Sequence, residues 1–284
     1  MNRTTADIVQ ALSSYFFTRQ DVAFAFLFGS LSKGSERNDS DIDIGVYFFP
    51  QDAVWEMEDP VFYPEEDQIW ADIDKLTGRE TDLLVLNRSP ARIVHTVLRE
   101  GILLDVKSPS LFMTILLQAG HLAEEYLDFT HSYMAIKRRS ASLTPLDKER
   151  LIRMQDFLET ELTDLDQFIG LTYEEYAKNS ALRRNVERWI ENIVNVSIDI
   201  AKILIASEKQ PIPQTYRETV TRLKTIPEFP TDVVDTLSTN IRLRNILAHE
   251  YLDIRFRYIA LFIQSAEQTY KKFLEAVQKC VVSQ

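Results

Sequence analysis

The stretch from Gly29 to Ile44 restricts the fold more than any other part of the chain. It reads Gly-Ser, ten residues, then Asp41-Ile42-Asp43-Ile44. An apolar run, Val22 to Phe28, precedes it, and Ile42 to Phe49 closes it. Both runs have the length and the β-branched or aromatic content of buried strands, so a strand, a Gly-Ser turn and a second strand are expected. Side chains alternate along a strand. Asp41 and Asp43 therefore share one face, and Ile42 and Ile44 take the core face. Two carboxylates on one face repel each other unless a cation neutralises them. Magnesium takes oxygen ligands and bridges to substrate phosphates. A Gly-Ser turn offers backbone N–H groups and a hydroxyl to a phosphate chain. Together these residues predict a site for a Mg2+-bound nucleoside triphosphate, with Gly29 and Ser30 on the nucleotide and Asp41 and Asp43 on the metal. A calcium loop is excluded. Starting from Asp39, it would need Gly at the sixth position and Glu at the twelfth, and those are Ile44 and Pro50.

This pattern, including the internal Gly34 and the Ser40 before the carboxylates, resembles the minimal nucleotidyltransferases of the polymerase-beta-like superfamily, of the MntA type. The resemblance implies ATP as substrate, Mg2+ as cofactor and Ser40 among the nucleotide-binding residues. It also implies a third carboxylate on a neighbouring strand, as base or further metal ligand. The run Glu80-Thr-Asp-Leu-Leu-Val-Leu86 reads as that strand. Asp82 is the candidate by position and by its apolar flanks, with Glu80 as its rival.

Charge separates the chain into unlike halves. The whole carries −11, but residues 1–106 carry −10 and residues 107–284 only −1. An acidic front half repels a nucleic-acid polymer and suits a small metal-chelated nucleotide. The near-neutral back half can approach RNA, although pairs such as Arg183-Arg184 and Arg255/Arg257 read first as solvated helix faces. The single Cys280 rules out an internal disulfide. With no leader-like start and no apolar run long enough to span a bilayer, a cytoplasmic protein without a membrane partner is expected.

In chain order, a helix is predicted over 5–17, with Thr5 as N-cap and Ile8, Leu12, Tyr15 and Phe16 as its apolar stripe. Residues 51–67, with seven acids and two prolines, read as a loop. Pro64 opens a helix that Gly78 closes, and Ser89-Pro90 starts another that ends at Gly101. A short strand, Ile102 to Asp105, completes the front domain. A helix over 109–139 and the linker Ser140–Pro145 follow. Beyond it, helices are predicted over 146–169, 181–207, 214–224, 231–253 and 255–280. The fold class is α+β: a small N-terminal α/β domain with a mixed sheet over 1–106, a connecting segment over 107–145, and an all-α up-and-down bundle over 146–284.

One helix of the bundle carries Arg244-Asn245-Ile246-Leu247-Ala248-His249-Glu250-Tyr251. Asn245 and His249 are four apart and share a face, and Arg244 and Tyr251, seven apart, nearly align. An imidazole moves protons near neutral pH, and an arginine holds a phosphate bidentately. The pair suits cleavage of RNA by 2′-hydroxyl attack, with no metal. The other reading is a structural His with Arg in a salt bridge.

The Arg-x4-His-x-Tyr motif, the Asn245 after its arginine, the helix with Arg183, Arg184, Glu187 and Arg188, and the stretch Pro211 to Tyr216 resemble the HEPN ribonuclease toxins of the HepT type. Members of that family are usually separate proteins paired with the nucleotidyltransferase; here the two lie in one chain. The resemblance implies that Arg244 and His249 are catalytic, that Asn245 supports them, and that AMP from ATP is transferred to Tyr251, silencing the ribonuclease. A homodimer through the bundle is expected, because one Arg/His pair is sparse and two-fold symmetry doubles it. Two other functions compete: a small-molecule nucleotidyltransferase of the aminoglycoside-inactivating kind, and a non-catalytic nucleotide-binding module. The first suits the acidic front half but leaves Arg244, His249 and Tyr251 unexplained.

Overall fold

A computed structural model describes residues 4–32, 41–51, 55–139, 142–249 and 252–283. The fold is α+β as expected, with a small mixed sheet in the first half and helices in the second. Contacts divide the chain into two compact units, residues 1–127 and 128–284. The helix Pro109–Arg139 supplies residues to both.

In the first unit, α1 (Thr5–Thr18) is capped one residue earlier than predicted. Thr4, not Thr5, is the N-cap: its hydroxyl accepts from the Asp7 amide at 3.2 Å, and Asp7 returns the bond to the Thr4 amide at 3.0 Å. The strand β1 (Val22–Phe28) leads into a single helical turn, α2 (Gly29–Ser32), and then β2 (Ile42–Phe48). Helix α3 (Glu66–Thr77) starts two residues after the predicted Pro64 and ends, as predicted, at Gly78, whose φ of +70° is the left-handed cap. Then come β3 (Thr81–Val85), α4 (Ala91–Glu100) and β4 (Ile102–Val106).

The sheet order is β3-β2-β1-β4. β1 runs antiparallel to β2 and β4, while β2 and β3 are parallel, so the sheet is mixed. Ile42, Ile44 and Val46 point to the face covered by α1 and α3, where they pack with Ile8, Leu12, Phe16, Ile69 and Ile73. The other face, with Phe24, Phe26 and Tyr47, packs on Val94 and Val97 of α4 and on Ile115 and Ala119 of the long helix α5 (Pro109–Arg139). The acidic loop before α3 is partly tethered. The Glu56 carboxylate, 1% exposed, accepts hydrogen bonds from the Tyr63 hydroxyl, from Asn87 Nδ2 at 3.0 Å and from the Gln51 amide at 3.1 Å. These donors replace the water the buried anion loses.

In the second unit, α6 (Pro145–Thr163) opens with a capping box between Thr144 and Asp147. It stops at Thr163, short of the predicted 169; a tighter 3-10 turn follows and the chain reverses at Gly170, φ +81°. A short helix α7 (Tyr173–Lys178), not predicted, precedes α8 (Ser180–Ser207) and α9 (Tyr216–Thr221). The predicted helix over 231–253 is instead broken into α10 (Thr231–Asn240) and α11 (Leu243–His249), and α12 (Leu252–Ser283) follows. The break carries neither Gly nor Pro. The apolar phase slips here: continuing the Val233, Val234, Leu237 stripe at helical spacing arrives at 240, 241 and 244, whereas the buried apolar residues are Leu243, Ile246 and Leu247. The backbone absorbs the slip by tightening to i→i+3 bonds, Arg242 N to Thr239 O and Arg244 N to Ile241 O. Among the described residues, no helix is long and apolar enough to cross a membrane.

Candidate active sites

The first site is made by strand register. Asp43 stands opposite Phe28 in the antiparallel pairing of β1 with β2, and opposite Asp82 in the parallel pairing of β2 with β3. Its carboxylate thus lies between the turn that ends β1 and the start of β3. Gly29 has φ +74°, a conformation that costs a side-chain-bearing residue. A Cβ there would fall 1.9 Å from Asp43 Oδ2 and 2.6 Å from its Cγ. So glycine is required twice at this position, for the turn and for the close approach of the carboxylate. The Ser30 amide donates to Asp43, and the Ser32 hydroxyl closes the turn onto the Gly29 carbonyl at 3.0 Å. The Ser30 N–H, expected to serve a phosphate, is therefore engaged in orienting Asp43.

Electrostatics at Asp43 favour a cation. Burial, then the charges of Asp82 and Asp41, hold its carboxyl above the usual carboxylate range, and only the Ser30 amide pulls it down. Asp43 is half-buried, while Asp41 and Asp82 are exposed. A partly desolvated carboxylate beside two others is the donor set a hard divalent ion would relieve. Among the described residues, no group of three or more His, Cys, Asp or Glu closes on a metal unaided. Substrate phosphates and water would have to complete the coordination, as they do for magnesium. Of the two rivals on the third strand, Asp82 is the one in register with Asp43 and acting on its charge. Glu80 precedes β3, and its carbonyl accepts from the Ile42 amide at 2.9 Å.

The second site is less convergent. Arg244, Asn245 and His249 all lie on α11. At ~100° per residue, position 249 is turned about 140° around the axis from position 244. The Asn245 and His249 side chains, like Ser40 and Tyr251 as whole residues, lie outside what the structure describes. The expected two-turn alignment of Arg244 with Tyr251 therefore also falls outside the described residues.

Arg244 itself is well placed. Its guanidinium lies over the Tyr216 ring, 4.6 Å from the centroid. Phe129 meets Tyr216 edge-on at 5.5 Å, and Lys202 sits 5.7 Å from the Phe129 centroid. A planar cation stacked on an aromatic face keeps its N–H edge directed sideways. In the sequence Tyr216 stands out only as the end of the Pro211–Tyr216 stretch. Its partner comes from a distant helix, which no local spacing announces. Other basic candidates have structural duties. Arg183 donates to the Tyr176 and Ala177 carbonyls at 3.3 and 3.1 Å, and Arg255 pairs with Glu187 at 3.2 Å.

Two family models match successive parts of the chain. Residues 10–110 match the family described as Polymerase beta, Nucleotidyltransferase, and residues 158–277 match the family described as Ribonuclease HepT-like. No curated protein matches the chain. Two solved structures resemble part of it: a toxin–antitoxin crystallised with AMP-PNP, and a mutant of the toxin–antitoxin MntA-HpeT. Identities are 18% and 16%, each match covers 46% of this chain and 99% of the other, and the TM-scores are 0.34 and 0.33. Scores this low have no bearing on either site.

Proposed function

The chain carries a polymerase-beta-type nucleotidyltransferase domain followed by a HepT-like domain, and from that premise we propose that the first silences the second by transferring AMP from ATP to Tyr251. The observation that carries this reading is the Asp43 carboxylate, pressed against Gly29 with Asp41 and Asp82 beside it. In the proposed reaction the Tyr251 hydroxyl oxygen attacks the α-phosphorus of ATP. The bond to the β-phosphate breaks, pyrophosphate leaves, and the phenolic proton passes to Asp82. Asp41 and Asp43, with Asp82 beside them, would hold Mg2+, which supplies charge neutralisation for the triphosphate. Because the Ser30 amide is taken by Asp43, the Ser30 hydroxyl, the remaining turn amides and Ser40 bind the phosphates.

In the second domain, Arg244 holds the scissile phosphate and His249 moves the proton as an RNA 2′-hydroxyl displaces the 5′-oxygen. Asn245 supports that pair. The 140° offset of positions 244 and 249 supports a homodimer, in which Arg244 of one copy works with His249 of the other. AMP on Tyr251 places an anion where Arg244 would otherwise take RNA phosphate.

The test is mass spectrometry of the full chain after incubation with ATP and magnesium. One adenylyl increment on the Tyr251 peptide is expected, absent in Asp43→Asn. An increment on another residue, or none in the parent, overturns the reading. Sedimentation at micromolar concentration should show a dimer; a monomer that still cuts RNA removes the shared-site arrangement.

A further inference from the structure

Neither site uses a pocket of about 240 Å³ between the end of α10, the start of α11 and α12. Its volume is below the ~300–1,000 Å³ typical of sites for drug-sized ligands, and suits a single heterocycle. Leu243 and Ile246 of α11 form one apolar wall, and Tyr258 of α12 supplies an aromatic ring. Polar groups stand among them: the Ser265 hydroxyl and Asn240, which is 8% exposed. Asn240 Nδ2 completes no hydrogen bond. The nearby Tyr270 hydroxyl senses Asn240, which tempers the upward push of burial on that phenol, but the two do not reach bonding geometry. The Asn240 nitrogen is sealed from the pocket, but the Ser265 hydroxyl, which donates to the Leu261 and Phe262 carbonyls at 3.2 Å, keeps a lone pair for a ligand N–H.

Charge narrows the choice. The Arg242 and Arg257 guanidiniums lie 5.8 and 5.1 Å from the Tyr258 centroid. Among the described residues, the lining contains a guanidinium and no carboxylate, in a chain of net charge −11. The larger hollow between α6 and α12, about 830 Å³, is the opposite: Glu159, Asp166, Glu267 and Glu275 all line it. An anion that also carries a flat ring therefore suits this pocket and not that hollow. Position also matters. Ile246 lines the pocket, and position 249 follows three residues later on α11, about 60° around the helix. Whatever occupies the pocket lies beside the strip of α11 that bears His249.

We propose that this pocket takes one base of the RNA strand, stacked against Tyr258, with Arg242 and Arg257 holding the adjoining phosphate. It rests on the ribonuclease reading above and adds to it a base-binding subsite next to the cleaved bond. The fit combines a stacking face, the Ser265 hydroxyl for the base edge and guanidiniums for the backbone.

Binding is the cleanest test. A fluorescein-labelled single-stranded RNA octamer is titrated against the full chain carrying His249→Ala, so that bound RNA stays intact, over a series of salt concentrations. In that background, Tyr258→Ala should weaken binding about fivefold or more, the loss of one stacked base. Arg257→Gln, at an exposed position, should lower the salt slope by roughly 0.7, the loss of one phosphate contact. Ser265→Trp should fill the pocket and weaken binding while leaving the melting temperature near that of the parent. Equal affinity and equal salt slope in all three variants overturn the pocket, and the ribonuclease reading then stands or falls separately on cleavage by the chain with His249 intact. If the parent neither binds nor cuts RNA but binds nucleoside monophosphates, and Tyr258→Ala abolishes that, the ribonuclease reading fails and the base pocket survives. Loss of the dimer in these variants, with RNA affinity unchanged, overturns the proposal and makes the surface a contact between copies.

Discussion

The carboxylate site and the arginine site are built on opposite principles. In the sheet, register does the assembling. Two hydrogen-bonded ladders bring Phe28, Asp43 and Asp82 side by side, and the Gly29 turn lies against the same carboxylate. Every group comes from a neighbouring strand, so small displacements are resisted by the ladder itself. Helical periodicity separates positions 244 and 249 around the axis, and Arg244 is held by an aromatic ring from α9 that belongs to a different part of the chain. A sheet converges its own functional groups, while a helix needs another element or another copy to do so.

Four experiments break or sharpen that contrast. The largest effect is expected for Asp43→Ala. AMP transfer should fall by about 10²-fold or more, because the metal-binding charge nearest the turn is gone. The fold should survive, since one of three mutually repelling carboxylates is removed. Undiminished transfer, read by incorporation of labelled AMP, would show that register has not created a site here.

Gly29→Ala tests the turn. It should cost about 1–3 kcal/mol in a denaturant melt, from the left-handed backbone and the clash with Asp43 together. Combining it with Asp43→Ala should recover part of that loss, because one of the clashing groups is then absent. Strict additivity would mean that the approach of Asp43 to Gly29 carries no energy.

Smaller effects are expected at Tyr216. Tyr216→Leu should lower kcat for RNA cleavage roughly tenfold by releasing the guanidinium, on the scale of an ordinary cation–π contact. Tyr216→Phe keeps the ring and should retain most of it. If both variants fall equally, the phenol rather than the stack matters. The ratio of the two separates positioning from packing.

The smallest effect concerns pH. Asp43 has its carboxyl raised above the ordinary value of 3.8, first by burial and then by Asp82 and Asp41. Without a divalent cation, the folded chain therefore binds more protons at this group than the unfolded chain does. The stability this supplies is fully present below 3.8 and is lost as pH rises through the folded value. Melts in chelator should show Asp43→Asn gaining on the parent as pH rises, by under about 1 kcal/mol at neutrality, since a half-buried carboxylate remains screened by solvent. Magnesium with nucleotide should reverse the order.

Much of the first site was legible because its information is local. The alternation of Ile42, Asp43 and Ile44, the Gly-Ser turn and the strand lengths are properties of adjacent residues, and period-two geometry converts them directly into faces. The same local reading placed Gly78 and Gly101 at helix ends, but missed the cap at Thr4 by one position. The reason for Gly29 was only half visible. A turn was expected there, yet the closest constraint is the carboxylate of Asp43, fourteen positions along the chain, which becomes its neighbour only when β1 pairs with β2.

The residues alone determined the α+β class, the strand–turn–strand unit and the order of a nucleotide-type site before a helical half, because binary patterns and turn chemistry act over a few residues. The tertiary structure decided what depends on partners distant in sequence. It put Asp82 rather than Glu80 in register with Asp43, broke the helix over 231–253 where the buried stripe slips phase, and stacked Arg244 on Tyr216. Each of these is a competition between surfaces brought together only by folding, and packing energy between such surfaces has no signature within a local window.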